Sequence, residues 1–311
     1  MTTHAEIFET QPLVLASRAS ALAMAQAEIV RDGLAPVSAE ILSLTTRGDR
    51  ILDRPLAEAG GKGLFVKELE RRLLDGECDA AVHSMKDMEI GFADGTEIVA
   101  VLPREDRRDA LIGPYEGLDS LPQGAVIGTA SVRRRALLNH HRPDLKIELL
   151  RGNINTRLAA LADGRFDAIV LALAGLRRLS IDVPHVPLDP AMMPPAAAQG
   201  ALAIQARSGA GERDRAVAAV CGGLSCRKTL TEVTAERALL GHLDGSCHTP
   251  IAASARLQQD GTLHLDGMIL STEGDRAHRA HLSGGAADAE RIGHELGERL
   301  LADAGGRGFL A

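Results

Sequence analysis

The chain has 311 residues, more than a single hydrophobic core usually serves, so two or three domains are expected. Hydrophobic residues make up 45% and charged residues 25%, which is typical of a folded globular protein rather than a disordered one. The net charge of −7 and the 2% aromatic content disfavour nucleic-acid binding, which needs a basic face or aromatic stacking platforms.

Short apolar runs alternate with helical patterns along the first part of the chain. This alternation indicates βαβ units, and it occurs as two series, so two similar α/β domains with mainly parallel sheets are predicted. The predicted strands are 13–16, 40–44, 80–83 and 97–102 in the first series, then 109–112, 125–128, 147–150 and 167–173 in the second. The predicted helices are 19–30, 64–74, 132–139, 153–162 and 174–179.

The pattern changes beyond these two series. Five prolines between Val183 and Pro195 indicate a linker, and 201–206 is predicted as one more buried strand. A helix over 229–242, three strands over 251–257, 263–270 and 278–282, and a closing helix through Leu296 predict a small C-terminal α+β domain. The predicted boundaries are 1–103 plus 200–220 for the first domain, 104–199 for the second and 221–311 for the third.

Cysteine usage and the N-terminal segment bear on the cellular compartment. The four cysteines, Cys78, Cys221, Cys226 and Cys247, contain no CxxC pair and are too few for a disulfide scaffold. The first residues lack the charged and apolar regions of a signal peptide, and no stretch reaches the roughly 18 apolar residues of a membrane helix. A soluble, cytoplasmic protein is therefore predicted.

Polar or basic residues open a helix directly after a strand in four segments: 17–20, 128–135, 151–157 and 173–179. Ligands of α/β sheets bind at the carboxyl ends of strands, and helix N-termini favour anions. Guanidinium groups bind carboxylates in a bidentate way that lysine cannot copy, and the chain has 30 arginines against five lysines. A small substrate with several carboxylates is predicted. The alternatives are that the serines only cap helices and that one arginine of 133–135 and one of 177–178 lie on the surface.

Asp87 follows a short apolar strand and stands beside Lys86. An aspartate surrounded by arginines is expected to stay ionised, which suits it to stabilising a developing cation. The alternative is a purely structural pair between Asp87 and Lys86.

Cys247 lies in the turn-like sequence DGSCHTP, where a thiol would be accessible, whereas Cys78 and Cys221 lie in apolar stretches typical of buried cysteines. A zinc site formed by His242, Cys247 and His248 matches no known ligand spacing, so no metal is predicted. The segment 60–63 lacks the spacing of a phosphate-binding loop, and the long Gly-rich span 47–63 is predicted to be a mobile lid.

Read in order, these segments resemble the porphobilinogen deaminase, or hydroxymethylbilane synthase, family over nearly the whole chain. Each motif is weak alone, but their order makes the resemblance specific. The motifs are RASALA from Arg18, TRGD from Thr46, GGKGLFVKELE from Gly60, AVHSMKD from Ala81, GTASVRRR from Gly128, RPDL from Arg142, LRGNINTRL from Leu150, DAIVLALAGLRRL from Asp167, AAQGALAI from Ala197, TAERALL from Thr234 and DGSCHTPIA from Asp244.

The resemblance implies an enzyme of porphyrin and heme biosynthesis that joins four porphobilinogen molecules head to tail, releases ammonia and yields hydroxymethylbilane. It implies a dipyrromethane cofactor attached by a thioether to Cys247, and Asp87 as the catalytic residue that stabilises the azafulvenium cation. It implies no metal, no nucleic acid or membrane partner, and a monomer. The implied cofactor-binding residues are Lys86, Thr129, Ser131, Arg133 and Arg134. The implied substrate-binding residues are Arg18, Ser20, Arg151, Arg157, Arg178 and Gln199, with Lys62 and Phe65 lining the cleft or its lid.

Some positions depart from the family pattern. Met88 and Glu89 replace a usual Val-Pro, Ala130 replaces a serine, Glu58 stands where a lysine is frequent, and DGSCHTP replaces EGGCQVP.

The fold class predicted here is two hinged α/β domains of the periplasmic-binding-protein type II class. Solute-binding proteins share this fold class, so a solute-binding protein is one alternative function. An arginine-rich nucleic-acid binder is a third alternative. A solute-binding protein would need a signal peptide and would not need Cys247, and the negative net charge speaks against the nucleic-acid binder.

Overall fold

The computed structural model describes residues 6–46, 66–246 and 249–310. Its strands are β1 Leu13–Arg18, β2 Ala39–Leu44, β3 Ala80–Ser84, β4 Thr96–Val101, β5 Asp109–Ile112, β6 Val126–Thr129, β7 Lys146–Leu149, β8 Ala168–Ala172, β9 His185–Pro187, β10 Leu202–Arg207, β11 Ile251–Leu257, β12 Thr262–Leu270 and β13 Ala277–Gly285. Its α-helices are α1 Ile7–Thr10, α2 Ala21–Gly33, α3 Lys67–Leu74, α4 Val132–His141, α5 Ile154–Ala162, α6 Leu173–Arg178, α7 Glu212–Gly222, α8 Arg227–His242 and α9 Ala289–Asp303.

The first compact unit comprises the described part of 1–104 together with Ala201–Leu230. Its five-stranded sheet has the order β2-β1-β3-β10-β4. Strand β1 pairs in parallel with β2 and β3, whereas β10 runs antiparallel to β3 and β4. The sheet is therefore mixed, which corrects the expectation of a mainly parallel one. Strand β10 is far from its neighbours β3 and β4 in the sequence, so no βαβ crossover fixes its direction.

The second compact unit comprises Glu105–Gly200 and the described part of 231–311. Its five-stranded sheet has the order β7-β6-β8-β5-β9, with β6 parallel to β7 and β8 and with β5 antiparallel to β8 and β9. The order of strand directions is the same as in the first unit. The prediction of two similar periplasmic-binding-protein-like α/β domains is confirmed, with mixed sheets.

Strand β8 shows how both faces of the second sheet are covered. Ile169 and Leu171 pack into one hydrophobic cluster, and Ala168 and Val170 pack into another. Alternate residues of a strand point to opposite faces, so each face contributes to a core. This is why β8 reads in the sequence as a continuous apolar run rather than an alternating one.

The C-terminal part of the chain forms an antiparallel sheet of order β11-β12-β13. One face shares a core with α8 and α9 through side chains such as Leu239 and Leu296. Met268 and Leu270 instead pack in one cluster with Leu137 of α4. The small α+β domain is confirmed, and this shared core places it in one compact unit with 105–200. The domain boundaries given above stay a prediction.

Besides the short N-terminal helix α1, two elements are absent from the sequence-based assignment. The segment predicted as a linker contains strand β9, which pairs with β5, and helix α7 was assigned no structure. Strand β9 has prolines at both ends, which favour a loop, and the first turn of α7 is entirely charged, so it shows no apolar periodicity. In the part of the chain that the structure describes, no helix is both long and apolar enough to cross a membrane.

Candidate functional site

Four predicted site residues of the first unit follow the carboxyl ends of two neighbouring strands. Arg18 is the last residue of β1 and Ser20 follows it, while Lys86 and Asp87 follow the end of β3. Strands β1 and β3 are paired in parallel, so both ends lie at the same edge of the sheet. The fold therefore brings Arg18, Ser20, Lys86 and Asp87 to one edge.

The backbone beneath Asp87 is firmly held. Met85–Asp87 form a single 3₁₀ turn, and Met85 is buried. The Met85 amide donates to the Ala201 carbonyl at 3.0 Å, and the Met88 amide donates to the Met85 carbonyl at 3.2 Å. Met88, which departs from the family pattern, is also buried. Asp87 itself is exposed, so its carboxyl group is presented from a fixed backbone.

Helix α2 links the two strand ends. Its buried Gln26 donates from Nε2 to Oγ of Ser84 at 2.9 Å. At its start, Ser20 Oγ accepts the Ala23 amide at 3.3 Å, so Ser20 caps the helix, as the alternative interpretation expected. Capping leaves the N-terminal end of α2 oriented toward this edge, where anions are favoured.

His83 lies just before Asp87 in the chain and is buried. Burial lowers the pKa of His83 from 6.5 to about 4, against a smaller opposing effect of Gln205. The imidazole is therefore neutral at physiological pH. Positive charge near Asp87 at this edge comes from Lys86 and Arg18 rather than from His83.

The second unit repeats the arrangement at the ends of β6 and β7. Thr129 ends β6, and its Oγ1 accepts the amide of Ser131 at 3.2 Å. Ser131 caps α4 by accepting the Arg134 amide at 3.4 Å. Strand β7 is parallel to β6, so Arg151, which follows it, lies at the same edge. Arg157 donates from Nε to the carbonyl of Gly152 at 2.8 Å, which turns its side chain back toward that strand end.

Asp109 is the central buried charge of the second unit, and three predicted site residues converge on it. Its Oδ1 accepts from Nη2 and Nε of Arg134, at 2.8 and 3.1 Å, and from Nε2 of Gln199 at 2.9 Å. Its Oδ2 accepts from Nη2 of Arg133 at 2.7 Å. The remaining contacts of the two arginines are to backbone carbonyls, Pro194 for Arg133 and Val170 for Arg134.

The electrostatics of this cluster favour an additional anion. Burial alone would raise the pKa of Asp109, but Arg133 and Arg134 hold it well below its ordinary value. Two guanidinium groups then share one carboxylate. The buried Nε–H of Arg133 has no hydrogen-bond acceptor among the described residues. A carboxylate arm of a ligand would supply one.

Arg178 and Gln199 meet at the segment 194–200. Arg178 donates from Nη2 to the carbonyl of Gly200 at 2.7 Å, and Gln199 Nε2 also donates to the Arg107 carbonyl at 2.8 Å. Burial lowers the pKa of Arg178 to about 10, so it remains charged at neutral pH. These contacts bring Gln199 and Arg178 together with the Asp109 cluster.

The two arginines expected on the surface are identified. Arg135 is exposed and lies 3.3 Å from a carboxylate oxygen of Glu273. Arg177 is likewise exposed and lies 2.8 Å from Glu105. Neither lies in the buried cluster, which agrees with a helix directing successive side chains around its axis.

Sequence reasoning missed Asp109 and Glu236, both fully buried acids. Asp109 could have been noticed as the only charge at the head of the apolar run DALI, because a charged residue beginning a buried strand needs a partner. Glu236 lies in a helix among other charged residues, and nothing in that pattern marks it as buried.

Cys247, Lys62 and Phe65 lie outside the described residues, as do Glu58, His248 and the predicted lid. The zinc alternative rests on two of these positions and stays untested. Cys78 and Cys221 are buried, and burial raises the pKa of each thiol to about 12, which makes them poor nucleophiles. Their interpretation as small buried hydrophobic residues is confirmed.

The donor set suits a cofactor with acidic arms. The first unit offers guanidinium, ammonium and hydroxyl groups at its strand ends. The second unit, by itself, offers guanidinium and hydroxyl groups, which include the buried Arg133 Nε–H without an acceptor among the described residues. Such groups bind carboxylates and offer little to an uncharged ligand. A dipyrromethane carries carboxylates of this kind, so these residues fit it.

Both sheets place cationic side chains at the carboxyl ends of parallel strands, which puts the chain among α/β proteins that bind small anionic ligands at such ends. The chain belongs to the porphobilinogen deaminase family. Residues 13–215 match its "dipyromethane cofactor binding domain" and residues 230–302 match its C-terminal domain. It is accordingly a transferase with the hydroxymethylbilane synthase function in tetrapyrrole biosynthesis, and its cofactor is dipyrromethane.

Three of the solved structures with some likeness are binding proteins for small solutes. A Brucella ovis periplasmic binding protein with glutathione bound is 14% identical over 78% of this chain and 72% of its own, with a TM-score of 0.42. A Streptococcus pneumoniae amino acid transporter substrate-binding protein bound to L-arginine is 16% identical over 71% and 92%, with a TM-score of 0.39. An ancestral cationic amino acid solute-binding protein is 13% identical over 71% and 93%, with a TM-score of 0.43. What those proteins bind does not carry over at such identities.

Proposed function

We propose that this transferase joins four porphobilinogen molecules head to tail with Asp87 as its catalytic residue, and that it works in the cytoplasm as a monomer. We propose no nucleic-acid or membrane partner for it. The observation that carries it is the exposed Asp87 at a sheet edge that also bears Arg18 and Lys86. A fixed carboxylate beside cations can stabilise a positive charge that forms on a bound anionic substrate.

Substrate binding falls to groups that pair with carboxylates. Porphobilinogen is a small dianion with an acetate and a propionate arm, which suits bidentate guanidinium groups. Arg178 remains charged at neutral pH despite its burial, which supports its part in this. The proposed substrate-binding residues are Arg18, Ser20, Arg151, Arg157, Arg178 and Gln199, with Lys62 and Phe65 proposed to line the cleft or its lid.

Asp87 acts when the carbon–nitrogen bond of the substrate breaks. The protonated amino group leaves as ammonia and takes the bonding electron pair, so positive charge remains on the methylene carbon and the pyrrole ring. Asp87 accepts a hydrogen bond from the pyrrole N–H and stabilises that charge. Because the Asp87 backbone is already held by Met85, little reorganisation is needed when the charge forms.

Cys247 is the proposed attachment point of the cofactor, through a thioether. The cofactor supplies the pyrrole end on which the chain is built. Its acidic arms are proposed to be held by Lys86, Thr129, Ser131, Arg133 and Arg134. The shared carboxylate of Asp109 fixes the orientation of both arginines before any ligand binds, which supports this assignment.

The direct test uses the purified holoenzyme with porphobilinogen. We expect four ammonia molecules released for each hydroxymethylbilane formed, together with an intact mass that exceeds the polypeptide by one dipyrromethane. Binding of porphobilinogen without ammonia release would instead favour the solute-binding alternative. Gel filtration at assay concentration checks the monomer, and retention on DNA at physiological salt would favour the nucleic-acid alternative.

A further inference from the structure

Ala198 holds a backbone conformation that residues with a Cβ atom rarely adopt. Its φ is 58°, in the left-handed region, and the residue is 1% exposed. Glycine tolerates this region far better than alanine. An alanine stays there only when its surroundings enforce the conformation, and such enforced positions cluster at functional sites.

Ala198 immediately precedes Gln199, which belongs to the proposed binding site, and Gly200, whose carbonyl contacts Arg178 of that site. Gln199 contacts Asp109 at 2.9 Å, and the Gly200 carbonyl accepts from Arg178 at 2.7 Å. The direction in which the chain leaves Ala198 therefore sets where Gln199 and Gly200 lie. A change in the backbone conformation of Ala198 would therefore displace both Gln199 and the Gly200 carbonyl from these contacts.

The contact that enforces this turn comes from Glu236 of α8. Its Oε2 accepts the amide of Ala198 at 2.6 Å, and its Oε1 accepts the amide of Ala255 in β11 at 2.7 Å. The side chain is fully buried, and its Oε1 lies 3.5 Å from a guanidinium nitrogen of Arg107. One carboxylate thus joins the turn to the C-terminal sheet.

We infer that Glu236 is a positioning residue for substrate binding, which acts by holding the Ala198 turn and so placing Gln199 and the Gly200 carbonyl. The inference rests on the proposed substrate role of Gln199. Glu236 does not itself contact a reacting group. Its loss is expected to weaken substrate binding more than it slows the chemical steps.

Glu236→Gln tests this with minimal change of shape. Glutamine offers one acceptor oxygen, and its NH₂ group cannot accept the second backbone amide. We expect KM for porphobilinogen to rise about tenfold while kcat stays within about threefold. A merely structural role would lower the active fraction, and hence kcat, with KM unchanged.

Glu232→Gln is the matched control. Glu232 is similarly buried on the same helix, where it contacts Arg107 at 2.6 Å and accepts the Leu257 amide at 3.1 Å, whereas the Ala198 amide donates to Glu236. Its KM is expected to stay within about twofold of wild type. An equal rise of KM in both variants would overturn the inference.

A rescue experiment isolates the turn itself. Ala198→Gly makes the left-handed conformation available without enforcement, so Glu236→Gln/Ala198→Gly should recover at least about threefold in kcat/KM over Glu236→Gln. If Glu236→Gln fails to fold but the double variant folds and binds substrate, the inference is supported. If the glycine gives no recovery, or if neither variant folds, Glu236 acts elsewhere and the inference is overturned. Turnover by the wild-type protein tests the proposed function separately.

Discussion

Arg134 and Asp109 form a buried ion pair in which two nitrogens of one guanidinium group contact the same carboxylate oxygen, at 2.8 and 3.1 Å. Arg133 contacts the other oxygen, so a single aspartate orients two neighbouring arginines of α4. Stability and the proposed ligand binding therefore depend on the same aspartate. The arginines proposed to hold acidic arms are also those whose desolvation Asp109 offsets.

Asp109→Asn should be severely destabilising. The substitution leaves two buried guanidinium groups without a counter-ion, and breaking such a pair typically lowers the free energy of unfolding by about 3–5 kcal/mol. Denaturant unfolding measures the change. Glu295→Gln, which removes an exposed partner of Arg291, is the control and should change it by less than about 1 kcal/mol. Similar values for the two variants would contradict the role of burial.

Asp87→Asn should abolish turnover while the fold stays intact, because it removes the charge and keeps the shape. A loss of at least about a hundredfold in kcat is expected for a group that stabilises the developing cation. Asp94→Asn, an exposed aspartate in the same unit, should stay within about twofold of wild type. Circular dichroism confirms folding of both, and near-normal turnover of the Asp87 variant would remove it from the mechanism.

Most strands were predictable because their burial on both faces leaves continuous apolar runs. Strand β5 was predicted with its bounds as found, and β8 is shorter by one residue at each end. Strand β9 was not predictable, since its three residues are a strand only through pairing with β5. The antiparallel direction of β10 is likewise a long-range property that periodicity does not encode.

The strand-end residues were predictable from local sequence, since Arg18, Ser131 and Arg151 follow runs that are recognisable as strands. The partners of Asp109 and Glu236 were not predictable, because a carboxylate becomes a buried anchor only when distant segments supply its donors. Arg134 is 25 residues from Asp109 in the sequence, and Ala198, whose amide donates to Glu236, is 38 residues from Glu236. Single-sequence patterns carry no information on such pairs.

Cys247→Ser should fold and lack the bound cofactor. Intact-mass measurement is expected to show the bare polypeptide, because a hydroxyl is a much weaker nucleophile than a thiol at neutral pH. Cys226→Ser is the control and should retain the adduct mass. A dipyrromethane adduct that persists in the Cys247 variant would show that the cofactor is attached elsewhere.

His83 should make stability fall as pH falls. Its pKa is lowered from 6.5 to about 4 by burial, so the unfolded state binds the proton more readily than the folded state between these values. The stabilisation is fully present above pH 6.5 and is lost as pH falls toward 4, by up to roughly 3 kcal/mol. The free energy of unfolding, measured between pH 4 and 7, should depend less steeply on pH in His83→Gln than in wild type. Equal slopes would mean that His83 is not buried in its neutral form.

Replacing Gly274 by alanine should lower the free energy of unfolding far more than replacing Gly261, which lies in the other turn of the same sheet. Its φ is 79°, and a Cβ atom there would lie 2.2 Å from the backbone oxygen of Ala136 in α4. Gly261 has a similar φ of 84° with nothing within 4 Å of the added atom. Gly261→Ala therefore reports the backbone strain alone, about 1 kcal/mol, whereas Gly274→Ala adds a steric clash expected to cost about 1–3 kcal/mol more.

The contact at Gly274 joins the turn between β12 and β13 to the helix that carries Arg133 and Arg134. Asn139 of that helix donates to the Glu273 carbonyl at 3.2 Å, so displacement of the turn removes this hydrogen bond as well. Thermal unfolding of the two alanine variants measures the difference. Gly274→Ala should unfold several degrees below Gly261→Ala. Equal midpoints would show that the turn can move away from α4 without loss, and that the C-terminal sheet does not brace the arginine-bearing helix.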